Sequence, residues 1–518
     1  MRQRYWLLGT LISGALVAPA AAQLPEIGVP GGTVRVEIGG EFASIDRQLN
    51  DGSNEPWRTE FAASSIGGIY FPDLVPSEAI VAGLAGLPSY SYNIGRATMA
   101  AQASRGTLRL GLSLGITDRL TVFGSLPLVQ QRVQVAYRFD PAAAGAGFNQ
   151  ADPLFGTPTG AAATTQFLSS FDTALDTLQS RLDAGFYDGD PGQKAIAQAT
   201  LAEGSGQLSG LDALLANPAT QAPFVPTAVS AAGAAISIRI AGTQASLTSL
   251  GVTSFTEAVP LPTATLTQDE YDLFLTASGG RVGSRPFTTS SSFLAGDAEV
   301  GAAYAVLDAW DRDGAQGGIR VVVQALVRLP TGSVVAQNDF VSLPSGDHQL
   351  DIEASAVADI GKGRIGARLT GTYINQMAAE FDRRVTPPSQ PVPWANRRAL
   401  VEVDPGNIVG FRAEPFFRIG ASLAVVGVFS YASRGSDDVT YASDPIPEVN
   451  ASQLAEGTEV TSTTLGAGLS FAPARRDGRA SIDGFWLYEK VVSASGGRVP
   501  ATGAIRMGIR VPVQLWGS

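Results

Sequence analysis

Ile319-Arg-Val-Val-Val-Gln-Ala-Leu-Val-Arg-Leu329 decides the fold. Its odd positions are all apolar, while Arg320, Gln324 and Arg328 fall on the even face. Period two marks a strand with one greasy and one polar side. The same alternation continues in Gln349-Leu-Asp-Ile-Glu-Ala-Ser-Ala356, with acids in place of arginines, and in Arg364-Ile-Gly-Ala-Arg-Leu-Thr-Gly-Thr-Tyr373. The stretch Ile505-Arg-Met-Gly-Ile-Arg-Val-Pro-Val-Gln-Leu515 has apolar residues at all six odd positions.

Working outward, about twelve such strands are predicted: 33–47, 93–114, 120–138, 290–308, 318–330, 347–360, 364–378, 405–418, 422–434, 460–472, 479–491 and 501–516. Their connections alternate in length. Those at 48–92, 139–289, 331–346, 379–404 and 435–459 are longer than every one of 115–119, 309–317, 361–363, 419–421 and 473–478, with 492–500 the short exception. Short turns at one end, long loops at the other and an even strand number are the pattern of an outer-membrane barrel. A soluble sandwich needs no such rule, and a β-helix would show a fixed short repeat that this chain lacks. The expected fold is all-β: an antiparallel transmembrane β-barrel of about twelve strands.

Composition excludes other classes. The chain has 518 residues, no cysteine and one histidine, so disulfides, thiolate metal sites and multi-histidine metal sites are ruled out. Charged residues make up only 16%, the net charge is −11, and the cations are almost all arginine. That balance speaks against nucleic-acid binding. Met1-Arg-Gln-Arg4, the apolar run Tyr5 to Val17 and the small residues Ala18 to Ala22 read as a cleaved signal peptide at 1–22. Export to the outer membrane of a Gram-negative bacterium follows, with 23–518 as the barrel.

Two irregularities are expected. Apolar residues use even positions from Leu120 to Leu128 but odd ones at Val133, Val135 and Tyr137, which places a bulge near Pro127. The 139–289 connection is too long for a plain loop. Phe167, Phe171, Leu175, Leu178 and Leu182 form a helical stripe there, and further helices fit Gln193 to Ala202 and Gly210 to Leu215. Such an insertion either packs on itself and its neighbours or acts as a lid or plug.

Gly296-Asp297-Ala-Glu299-Val-Gly301, the strand end Leu329-Pro330-Thr331-Gly332, then Gly346-Asp347, Gly361-Lys-Gly-Arg364 and Gly371-Thr-Tyr373 add turn glycines and strand ends in a recognisable order. With the turn Leu114-Gly-Ile-Thr-Asp-Arg-Leu120, this resembles the outer-membrane family associated with meta-pathway phenol degradation. The resemblance covers 93–138 and 290–378 and implies a channel for aromatic or hydrophobic compounds. Ser333 departs from an acid common in that family, and the 139–289 insertion is unusually long for it. Trp516 is followed by Gly517-Ser518, an imperfect form of the aromatic end read by the barrel-assembly machinery.

If the apolar faces meet lipid, the polar faces line the lumen. The lumen candidates are Asp297, Glu299, Arg320, Arg328, Asp351, Glu353, Arg364, Arg368, Arg412, Arg418, Arg506 and Arg510. Signs alternate by strand, so opposite charges can meet across the ladder. Arg328 is expected between Asp297 and the pair Asp351 and Glu353, and Asp359 is expected to meet Arg364. Such charges serve either as a salt-bridge network filling the lumen or as a pathway setting selectivity. Trp486, Tyr488, Tyr304, Tyr373, Phe429 and Tyr431 are expected on the lipid face.

Chemistry has little support. His348 stands near Ser342 and Ser345, but no Gly-x-Ser-x-Gly or paired acid accompanies them. Asp308-Ala-Trp-Asp311-Arg-Asp313-Gly314 lacks the spacing and closing Glu of a calcium loop. The expectation is a barrel without catalytic residues, metal or cofactor. Its partners are outer-membrane lipid, a small solute and the assembly machinery. The solute would diffuse passively through the lumen, or be caught at the outer loops and leave through the wall. The alternative is a non-transporting barrel closed by salt bridges.

Overall fold

The computed structural model describes residues 28–311, 317–386, 390–419, 422–447, 449–472 and 482–516. The leader expected at 1–22 lies outside them. Antiparallel strands close into a ring: β1 (Thr33–Ile45), β2 (Arg96–Gly115), β3 (Leu120–Asp140), β4 (Ser290–Ala295 and Glu299–Asp311), β5 (Gly317–Arg328), β6 (Asp351–Lys362), β7 (Ile365–Gln376), β8 (Ile408–Arg418), β9 (Leu423–Arg434), β10 (Val460–Phe471), β11 (Asp483–Ser495) and β12 (Gly503–Gln514). Each pairs with its sequence neighbours, and β1 pairs with β12 to close the barrel. The two pieces of β4 run one after the other along β3, so thirteen hydrogen-bonded segments make a twelve-stranded barrel.

The outer wall is apolar all round. Ile38, Leu110, Leu126, Val300, Val323, Ile360, Phe411, Val425, Leu469 and Ile509, from ten different strands, are all exposed. So are Trp486, Tyr488, Tyr304, Tyr373, Phe429 and Tyr431. Exposed apolar surface of that extent would aggregate in water and is stable against hydrocarbon. Among the described residues no helix is long and apolar enough to cross a membrane.

The expected bulge in β3 is corrected. β3 pairs with β2 in unbroken register, and its odd residues face inward throughout. The irregularity lies on β4, between Ala295 and Glu299. Pro127 faces that break: its carbonyl accepts from the Gly296 amide at 2.8 Å, and it has no N–H to continue the ladder. The change of apolar parity has another cause. Toward its outer end β3 leaves the lipid zone, so Arg132 and Arg138 face solvent while Val133 packs inward against Trp57, Ile45 and Ala103.

Among the described residues five α-helices stand at the long-loop end: α1 (Val75–Ala85), α2 (Pro158–Asp183), α3 (Pro191–Leu215), α4 (Ala231–Ser249) and α5 (Gln268–Thr276). The stretches expected at 193–202 and 210–215 are one helix, α3. The predicted stripe of α2 is buried at Phe167, Phe171, Leu175 and Leu178, inside one apolar core with α1, α3 and α4. This cap rests on the outer ends of β2 and β3. Tyr70, Tyr137 and Tyr271 join it to the barrel by a hydroxyl chain of 3.1 and 2.8 Å. Burial pushes the Tyr70 and Tyr271 phenols well above their usual range, so the chain stays neutral.

Candidate functional site

The alternating signs meet as the strand register dictates. Arg328 faces Glu299 on one neighbour and Asp351 on the other. Its guanidinium lies 2.6 Å from Asp351, 3.3 Å from Glu299 and 3.6 Å from Glu353. Arg109 reaches the other oxygen of Glu299 at 2.8 Å. Arg320 pairs with Asp308 at 3.1 Å, and Arg368 grips Asp359 through two bonds of 2.6 and 2.9 Å. Arg412 bridges Glu414 and Glu489 at 3.0 and 2.5 Å. Arg506 pairs with Glu41 at 2.8 Å, and Arg510 with Asp483 at 2.6 Å.

Three expected placements change. Asp297 has no arginine within ion-pair distance among the described residues; its carboxylate accepts the Gly332 and Asp347 amides at 2.7 and 3.2 Å. It therefore fastens the 329–350 loop to the rim. Asp359 meets Arg368 rather than Arg364, because Arg368 is its register partner. Arg364 is exposed in the β6–β7 turn, outside the lumen. Arg418 sits at the short-turn mouth, 5.8 and 5.5 Å over the rings of Trp310 and Phe416.

The lower lumen is nearly filled; a cavity of about 90 Å³ remains among Arg109, Glu299, Gln324, Arg368 and Arg510. Arg368 and Asp351 are 0% exposed, and Glu353 and Glu414 are 1% exposed, values that leave no water-filled bore beside them. Apolar side chains complete the filling, with Phe416, Val426 and Leu487 in one cluster and Ala303, Val322 and Val357 in another. The assumption that only polar residues face inward is thus too simple. At the short-turn end Val29 is buried and exchanges bonds of 2.8 and 3.4 Å with the Thr121 hydroxyl inside the barrel.

Above the charged layer lies a chamber of about 320 Å³. Its floor carries Arg412, Glu489, Arg506 and Glu41, and its walls are largely apolar: Val335, Phe340, Phe381, Val403, Val439 and Leu454. The helical insertion lines none of it. A second cavity of about 410 Å³ lies beside the outer piece of β4. Among the described strands that piece, Ser290–Ala295, pairs only with β3; its other edge is met by the 329–350 loop, whose Ser345 hydroxyl donates to the Ala295 carbonyl at 2.8 Å. The barrel wall is therefore interrupted there. Val335, Ala336, Asp339 and Ser342 line both cavities, so the loop carrying them is the partition between chamber and wall gap. Besides the Asp297 contacts, Gln131 holds the Pro344 carbonyl at 2.7 Å and Ser290 meets Ser342 at 3.4 Å.

Sequence reasoning missed Arg109, Glu41, the partition loop and the arginines 383 and 384. Arg109 was within reach, since Leu108, Leu110 and Leu112 alternate outward around it. Glu41 was within reach too, since it shares the odd face of β1 with Arg35 and Glu37; Arg383 and Arg384 sit in a short strand outside the barrel, Ala379–Arg384, and the partition loop has no period to read. Ser345 caps the Ser333 amide and donates to the Ala295 carbonyl at 2.9 and 2.8 Å, and His348 is exposed with φ at 62°. Among the described residues no cluster of metal-ligating side chains occurs.

No protein-family model matches the chain, and no curated protein matches it. Among solved structures it is similar to an outer-membrane channel of Pseudomonas putida F1, at 9% identity over 94% of this chain and 97% of that one, with a TM-score of 0.40. It is similar to a toluene transporter of Ralstonia pickettii at 8% identity, over 94% and 90% of the two chains, with a TM-score of 0.28. The translocator domain of an autotransporter of Neisseria meningitidis matches at 6% identity, over 93% and 88%, with a TM-score of 0.27. At these scores the likeness adds nothing to what the chain's own residues show.

Proposed function

We propose that the chain is an outer-membrane barrel that admits small, hydrophobic or aromatic solutes from outside and releases them sideways through its wall. The observation that carries this reading is the pairing of a largely apolar chamber with an interrupted wall, above a lower lumen filled by ion pairs. A solute entering between the loops meets Phe340 and Phe381, then the partition loop, then the edge of Ser290–Ala295 that only this loop, and no strand among the described residues, covers. Passive diffusion straight through the lumen finds no support in that filling. Specificity would come from the shape and polarity of the chamber rather than from the charged layer, whose members are occupied with one another.

The filled lumen also favours a second reading, a non-transporting barrel whose loops bind at the cell surface. Uptake separates the two. Cells with an intact outer membrane would be mixed with N-phenyl-1-naphthylamine, a fluorescent hydrophobic aromatic. The transport reading expects a faster fluorescence rise in cells carrying the chain than in cells without it. Identical traces from correctly inserted protein would leave the non-transporting reading.

A further inference from the structure

Six arginines line the chamber. Arg412, Arg434 and Arg506 each have a carboxylate within 2.5 to 2.8 Å, and Arg58 has Glu60 at 3.8 Å. Arg384 is held by neutral oxygens instead: Gln337 and the carbonyls of Val282 and Pro393 at 2.5, 2.5 and 2.8 Å. Arg383 differs from all of them. Among the described residues its guanidinium has no ion pair and no hydrogen bond, and it lies half-buried over the Phe381 ring at 4.9 Å. The carboxylate beside it in sequence, Asp382, is committed to Arg398 at 2.5 Å.

We propose that Arg383 anchors a binding site for a small organic carboxylate with an aromatic body. A guanidinium presents a planar fork that matches a carboxylate through two parallel bonds. Phe381, under its guanidinium, and other apolar walls of the chamber, Phe340, Val439 and Leu454, supply the apolar surface that an aromatic ring would cover. The electrostatics agree. Burial lowers the Arg383 guanidinium from its ordinary value, against a partial pull from Asp382. Burial also pulls Arg384 down to about 10, with Arg398 adding repulsion. Two adjacent cations without a carboxylate of their own raise the local positive potential, which an incoming anion would relieve. The charged floor does not offer this, because its arginines already have acids.

The inference rests on the chamber being the solute site, and it narrows the solute from aromatic to aromatic acid. The test is calorimetric titration of the full chain in detergent with benzoate and with benzamide, its neutral analogue. Wild type should bind benzoate more tightly than benzamide. Arg383→Gln should weaken benzoate about tenfold or more, as expected for loss of a charge-assisted pair, and weaken benzamide, whose carbonyl accepts only a single neutral-acceptor bond, much less. Arg383→Lys, which keeps the charge without the fork, should fall between and guards against a folding defect in the Gln variant. Benzamide bound as tightly as benzoate, benzoate affinity untouched by Arg383→Gln, or neither probe bound would each overturn the carboxylate site. Those results leave the naphthylamine uptake as it is found. Conversely, Arg383-dependent benzoate binding without any uptake would keep the site and remove the transport reading.

Discussion

Arg328→Gln is the sharpest perturbation of the sealed lumen. Arg328 is the cation shared by three carboxylates, Glu299, Asp351 and Glu353, whose side chains are 7%, 0% and 1% exposed. After the substitution Arg109 and the Ser125 hydroxyl still hold the far oxygen of Glu299 and the Gln376 amide still donates to Asp351, while Glu353 loses its ion pair. Removing one member of a buried ion pair typically costs about 3–5 kcal/mol, because the partner stays buried and uncompensated. Glutamine is two atoms shorter and falls short of the position from which Arg328 Nη1 meets Asp351, which places the expected loss toward the upper part of that range, about 4–5 kcal/mol. The assay is urea unfolding of the detergent-folded barrel, followed by tryptophan fluorescence and by the gel mobility of unheated protein. Adding Glu353→Gln should recover part of the loss, with a coupling of about 1–3 kcal/mol. A loss under about 1 kcal/mol, with no coupling, would mean that these carboxylates are solvated and the lumen is open.

Other outcomes follow from the same geometry. Ser290→Cys with Ser342→Cys places two thiols where the hydroxyl oxygens are 3.4 Å apart; oxidation should tie the partition loop to the wall and slow naphthylamine uptake, with recovery on reduction. Tyr137→Phe removes the middle hydroxyl between Tyr70 and Tyr271, and the orphaned Tyr271 hydroxyl should lower stability by about 1–2 kcal/mol, read as earlier proteolysis of the cap. Glu257 accepts the Ser170 hydroxyl at 2.8 Å, and that bond, then backbone amides, holds its carboxyl below the ordinary value. A depressed folded value means the contact contributes fully above the unfolded pKa and is lost as pH falls through the folded one. Hydrogen exchange around 257 and the facing turn of α2 should therefore rise on acidification, and Glu257→Gln should remove that dependence.

The strands were legible because each is half against lipid and half against a polar interior, which writes period two into the sequence. All twelve predicted staves overlap an observed one, and the long and short connections fall at opposite ends. The salt bridges were legible wherever opposite charges occupy register partners, as at Arg328 with Asp351. Asp359 was misassigned because sequence proximity to Arg364 competed with register, and register placed Arg368 opposite. The parity change in β3 marked the exit from the lipid zone rather than a bulge, since emergence reverses which face is apolar. Helices α1 and α4 went unseen because they show little amphipathic period, and α5 because it is only nine residues long. Even so, Thr267 and Glu270 form a capping box that marks the start of α5. The chamber and its gap arise from loops that meet only in three dimensions.

The most direct test of a sealed lumen with a sideways route is the conductance of the refolded chain in a planar bilayer. The filled layer of Arg328, Arg368, Arg412 and their acids is expected to give no steady ionic current from protein shown to be folded and inserted, while aromatic uptake in cells proceeds. A steady, ion-selective current through the unmodified barrel would contradict it.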